Sequence, residues 1–137
     1  MLSGKHNFRL NNFKGFFFNY FISDKPSVGT VPSISVDQFL NDQKIERLHL
    51  LHSDIQGFEL LMLQGALDHL TNAKIDFIFI STHSNELHTM CKEFLEKLDY
   101  VILCDADLNE TYSWDGLIVA KHSTVPGPDK LEISKRT

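Results

Sequence analysis

Hydrophobic positions change their period along this chain, and the changes mark its elements. In Arg47-Leu-His-Leu-Leu-His-Ser53, Leu48, Leu50 and His52 share one face and His49, Leu51 and Ser53 the other, the period-two signature of a strand. Asp54-Ile-Gln-Gly57 then reads as a tight turn. From Phe58 to Leu70 the period lengthens, with Phe58, Leu61, Met62 and Leu70 at helical spacing. Lys74-Ile-Asp-Phe-Ile-Phe-Ile80 is a near-continuous β-branched and aromatic run, which predicts a central buried strand. Ser84 or Asn85 caps a second helix, on which Leu87, Met90, Cys91, Phe94, Leu95 and Leu98 form one apolar stripe. Tyr100-Val-Ile-Leu-Cys104 and Leu117-Ile-Val-Ala120 are two further strands, separated by a loop with no helical pattern.

Strand, helix, strand, helix, strand makes two crossover units, which set their strands parallel. The loop before the last strand makes that final pair an antiparallel hairpin. The expected fold class is therefore α/β, mostly parallel, with the last strand reversed.

The remainder of the chain is less regular. Gly15-Phe-Phe-Phe-Asn-Tyr-Phe-Ile-Ser23 reads as an aromatic strand covered on both faces. A loop through Pro26 and Gly29 follows, then a short extended piece, Val31 to Val36. Asp37 is placed as the N-cap of a short helix through Phe39 and Leu40. The tail from His122 carries Pro126, Gly127 and Pro128 and is expected to be loose. The organisation is an aromatic-rich segment at 1–30, a folded domain at 31–121 and a tail at 122–137.

The 137 residues suffice for one domain with its own core, and 42% apolar with 23% charged residues is ordinary for a globular protein. A net charge of −5 argues against a protein that coats nucleic acid. Two cysteines, Cys91 and Cys104, with no C-x-x-C pair, build neither a disulfide framework nor a zinc knuckle. The longest apolar stretch, Phe16 to Ile22, is interrupted by Asn19 and far too short to span a bilayer, and no signal peptide is evident. A cytoplasmic protein is expected.

Four segments carry a resemblance. They are Ile34-Ser-Val-Asp-Gln-Phe-Leu40, the stretch from Leu50 through Asp54-Ile-Gln-Gly-Phe-Glu59 to Gly65-Ala66, Ile78-Phe-Ile-Ser-Thr-His83, and Asp115-Gly-Leu-Ile-Val-Ala120. Together they resemble the FkbM-type methyltransferases, the second segment most specifically. The resemblance implies a Rossmann-like class I methyltransferase sheet and methyl transfer from S-adenosylmethionine to a hydroxyl oxygen. The acceptor it implies is a small molecule, a sugar or secondary metabolite. The sequence departs from the family pattern at His52, where Lys is common, at Gln56, where Glu is common, and at Thr82, where an acid is common.

Such folds grip the methyl donor with a glycine-rich turn after the first strand. All seven glycines here are isolated, so the chain reads as the C-terminal half of the fold, a truncated, partial sheet. The strand at 47–53 then has an edge that is bare, paired by the aromatic segment, covered by an upstream segment, or paired in a homodimer. An inactive half-domain or an interaction module using that edge is the alternative function.

Asp54 and His83 each follow the end of a predicted parallel strand, and ligands of open α/β sheets bind outside the carboxyl ends of strands. The resemblance makes them the catalytic pair, with His83 or Asp54 removing the acceptor's proton, and gives Asp54 and Asp37 to the cofactor. The structural alternatives are an Asx turn at Asp54, a helix-capping His83 and an N-cap Asp37. Glu59 is assigned to the helix dipole. His52 and His88 are secondary possibilities. Asp54, His83 and His88 suit a divalent metal by type, yet no signature spacing joins them, and no metal is assigned. Trp114 and Tyr112 are expected to anchor the hairpin, and the two cysteines to be inert core thiols.

Overall fold

A computed structural model of the chain describes residues 2–136, with side-chain surroundings from residue 4 onward. Alternation in Ile75–Thr82 (β4) sets the whole arrangement. Ile78 and Ile80 are fully buried on one face, while Phe77 and Phe79 are half-buried on the other. Leu48–Ser53 (β3) runs parallel to β4, with Leu50 opposite Phe77 and Ser53 opposite Ile80. Tyr100–Ala106 (β5) and Gly116–His122 (β6) pair antiparallel, as the connecting loop predicts.

The sheet order is β3-β4-β6-β5. The reversed last strand therefore lies between β4 and β5, antiparallel to both. The three earlier strands run in one direction, as expected, but hydrogen bonding is mixed, with one parallel ladder and two antiparallel ones. The apolar content of β6 explains its position. Ile118, Val119 and Ala120 are all buried, so a strand of this composition gains most at the centre of the sheet.

The helices pack on the Ile78/Ile80 face. Asn85–Glu96 (α5) starts at Ser84, whose side chain accepts the Leu87 N–H, and buries Cys91 and Leu95. The expected helix from Phe58 to Leu70 is two short ones, Glu59–Gln64 (α3) and Leu67–Thr71 (α4). The break falls at Gly65. A Cβ there would meet the Ser23 carbonyl at 2.4 Å and Asp24 Cα at 3.1 Å, so the chain at 23–24 crosses directly over this glycine. Leu63 and Leu70, one from each helix, are fully buried. Each burial contributes roughly 1.5–3 kcal/mol.

The N-terminal region departs most from expectation. Leu2–Leu10 (α1) is helical. Only Phe21–Ile22 (β1) of the aromatic run is extended and paired, parallel to Ser33–Ile34 (β2), in a separate two-stranded sheet. Phe16 is 92% exposed, and Phe18, Tyr20 and Phe21 are also exposed. The run is neither a strand of the main sheet nor covered on both faces. Phe8 stacks edge-on against Phe13 and Phe17, and Phe18 against Phe39, so the rings find one another rather than a sheet. The edge of β3 thus has no strand beside it among the described residues, and Leu50 is 52% exposed there.

The tail is irregular yet tied down. Leu131 N donates to the Leu103 carbonyl and Arg136 N to that of Glu110, so the tail runs along the outer side of β5. Leu131 also covers Leu103, Cys104 and Val119 on the face opposite the helices.

Candidate functional site

Because β3 and β4 are parallel, their carboxyl ends share one rim, and Asp54 and His83 are the first residues beyond those ends. Asp54 Oδ1 lies 3.2 Å from His83 Nε2. The insertion of β6 adds a third member. Gly116 pairs with Thr82, so the residue before it, Asp115, stands on the same rim, with Oδ1 3.5 Å from His83 Nε2. Asp115 belongs to the closing-strand motif, but only the position of β6 beside β4 carries it to the site.

Behind the imidazole stands Glu59. Its Oε1 lies 2.7 Å from His83 Nδ1 and also accepts the Gly57 N–H. Its side chain is fully buried, and Oε2 has no hydrogen-bond partner. Sequence reasoning gave Glu59 only to the helix dipole. Its place in the first turn of α3, one turn beyond Asp54, is the one signal that could have linked it to the rim. The Gly57 N–H goes to Glu59 rather than to Asp54, as the alternative Asx turn would have it, and Asp54 keeps a half-exposed carboxylate.

The turn itself is held in an uncommon shape. Gln56 has φ +59° and Gly57 φ +97°. The left-handed conformation suits glycine but is uncommon for glutamine. It brings the Gln56 amide to 3.2 Å from His83 Nε2. Beside it, a cleft of about 730 Å³ is lined by Tyr20, Phe21, Ile55, Gln56 and Phe58. That volume falls within the range of about 300–1,000 Å³ common for small-molecule sites.

The other expected residues lie apart from this cluster. Asp37 is not the N-cap of Val36–Asp42 (α2); Ser35 is, accepting the Gln38 N–H. The Asp37 carboxylate instead accepts from the Asp68 and His69 backbone N–H groups and contacts His69 Nδ1 at 2.6 Å, engaging both oxygens at the start of α4. His88 is buried and bridges Thr82 Oγ1 at 2.8 Å to Asp105 Oδ1 at 2.9 Å. Burial works to raise the Asp105 carboxyl, but hydrogen bonds from Lys92 and His88 outweigh it and hold the group below its usual range. Thr82 is fully buried within this chain of contacts. His52 is exposed. Burial, with the Glu59 charge adding to it, pushes the Cys91 thiol up to about 12, so it is inert at neutral pH. Trp114 is 95% exposed and Tyr112 67%, so neither anchors the hairpin.

Two acids and a histidine at the rim of an α/β sheet, beside a cleft of ligand size, are the features of a small-molecule enzyme site. The family model of the methyltransferase FkbM domain matches residues 7–102, most of the chain, and the chain belongs to that family. A search of curated proteins found no match. A search of solved structures found none either. No helix among the described residues is long and apolar enough to cross a membrane.

Proposed function

We propose that the chain is an S-adenosylmethionine-dependent methyltransferase acting on a hydroxyl oxygen of a small metabolite such as a sugar, in the cytoplasm. The observation that carries this reading is the Asp54–His83 pair at 3.2 Å on the rim, within a chain of the FkbM family. Three strands in one direction closed by a reversed last strand support a class I methyltransferase sheet, of which this would be the second half.

S-adenosylmethionine, when bound, supplies an activated methyl group. The aromatic cleft beside Gln56 fits an adenine ring, and the half-exposed carboxylate of Asp54 fits the donor's positive charge. Asp37, with both oxygens engaged elsewhere, is given no part in holding it. His83 does the proton work. Glu59 accepts Nδ1–H, which leaves the Nε2 lone pair facing the rim, where it takes the proton of an acceptor hydroxyl. The remaining catalysis is positioning, because in-line displacement needs little else from the protein.

Titration calorimetry with S-adenosylhomocysteine tests the reading. Saturable heat at micromolar ligand supports it. No heat at millimolar ligand overturns it in favour of an inactive half-domain.

The open edge of β3 favours a second reading, association of two copies through that edge. Sedimentation as a monomer, with fast amide exchange along residues 48–53, would dismiss it.

A further inference from the structure

The rim cluster gathers electron-rich atoms that no Lys or Arg among the described residues neutralises. Glu59 Oε1 faces His83 Nδ1 at 2.7 Å, so in the tautomer with Nδ1–H the Nε2 lone pair is turned to the rim. Asp54 Oδ1 faces it at 3.2 Å and Asp115 Oδ1 at 3.5 Å. One ligand atom from each of the three residues lies within 4.8 Å of the other two. The Gln56 amide offers a single hydrogen bond to this group. Either a proton on Nε2 or a cation between the three residues removes the repulsion.

The geometry points to a divalent first-row transition ion, held by Asp54, His83 and Asp115. The spacings are the first argument. Ligands at about 2.0–2.1 Å from a tetrahedral zinc stand about 3.3–3.4 Å apart, between the 3.2 Å and 3.5 Å that separate His83 Nε2 from the two aspartate oxygens. The second argument is Glu59. A metal-binding histidine usually donates its other N–H to a carboxylate that fixes the ring and strengthens the ligand. Glu59 does this from a fully buried position, with Oε2 unpartnered, an arrangement costly to maintain for packing alone. The donor set is the third. One imidazole with two carboxylates suits zinc or manganese better than magnesium, which prefers all-oxygen surroundings.

Three protein donors leave a fourth position open to water or to an oxygen of the acceptor. The ion replaces the His88 of the sequence-based grouping with Asp115, because both ring nitrogens of His88 are engaged by Thr82 and by Asp105 of β5. It also claims the lone pair that proton removal would use, so the two roles of His83 are alternatives.

Zinc titration of the full chain by calorimetry, with magnesium as comparator, tests the site. One zinc per chain at micromolar affinity or tighter is expected, with magnesium at least tenfold weaker. His83→Ala and Asp115→Asn each lower zinc affinity tenfold or more, and His6→Ala leaves it unchanged. Glu59→Gln lowers it by about 10–100-fold, the effect of losing a ligand's orienting partner. Cobalt in place of zinc gives visible absorption bands of a tetrahedral site, lost in His83→Ala. Should Glu59→Gln fail to fold, Asp115→Asn, at a partly exposed side chain, decides the matter. Absence of zinc binding, or binding indifferent to His83→Ala and Asp115→Asn, overturns the proposal. The titration needs no methyl donor, so its failure is visible separately from failure of the methyl-transfer reading.

Discussion

His83 Nδ1 lies 2.7 Å from a Glu59 carboxylate that has no exposure to solvent. One end of the imidazole is thereby fixed in the protein interior, and the other end faces the rim. A flexible histidine at a strand end would sample several rotamers; this one is held in one orientation before any ligand arrives.

The first prediction follows from that pair. Replacing Glu59 with Leu removes the acceptor for Nδ1–H and for Gly57 N–H together. Methyl transfer, once an acceptor is known, should fall by about 10²–10⁴-fold in His83→Ala. Glu59→Leu should fall less, while circular dichroism of both variants stays native. A Glu59→Leu rate equal to the parent's would remove Glu59 from the site.

Gly116 allows β6 to press against the rim. A Cβ there would meet Thr82 Oγ1 at 2.6 Å, His88 Nδ1 at 2.8 Å and the Ala106 carbonyl at 3.1 Å. Gly116→Ala should destabilise the fold by about 1–3 kcal/mol, the usual cost of overpacking, and displace Asp115 as well. Urea denaturation measures the first effect and zinc affinity the second. A fully stable Gly116→Ala would contradict the packing described.

Asp37 should prove structural. Asp37→Ala withdraws the acceptor from the Asp68 and His69 N–H groups at the start of α4 and should cost about 1–2 kcal/mol, like loss of a helix cap. Binding of S-adenosylhomocysteine should be unchanged. A large loss of ligand affinity with full stability would restore Asp37 to the cofactor site.

At the opposite end of β4, Asp76 binds Arg47 Nε at 2.8 Å and His49 Nδ1 at 2.7 Å. The Arg47 hydrogen bond, opposed by burial and aided by His49, holds the Asp76 carboxyl below its usual range. A carboxyl depressed in the folded state stabilises the fold above its unfolded value, about 3.9, and loses that contribution as pH falls through the lower folded value. Stability should therefore decline in that acid window, and Asp76→Asn should be less stable at neutral pH with a flatter acid limb. Urea midpoints measured against pH would show it. Identical acid limbs would exclude Asp76 as a contributor.

The exposed aromatic run gives the opposite expectation. Phe16→Ser should change stability by less than about 0.5 kcal/mol, the range of surface substitutions. A loss of several times that would mean that the ring is covered in solution.

Much of the main sheet was legible in the residues. The period-two run located β3, the short continuous apolar runs located β4, β5 and β6, and the apolar stripe located α5, because those patterns reflect burial and need no knowledge of partners. Asp54 and His83 could be brought together for the same reason, since parallel strands put their ends on one rim whatever lies between them.

What depended on tertiary structure was everything set by neighbours distant in sequence. No local pattern says that β6 inserts between β4 and β5, and that insertion alone brings Asp115 to the rim. Nothing near Gly65 announces that residues 23–24 cross it and split the expected helix. The aromatic segment has the composition of a strand, yet a strand needs a partner with free backbone groups, and Ser33–Ile34 offers a partner only to Phe21–Ile22. Glu59 reads as a solvated first-turn acid until α3 packs it against His83 and removes its water. The amino-acid sequence determines which faces seek burial; the packing of those faces decides which polar groups are trapped together.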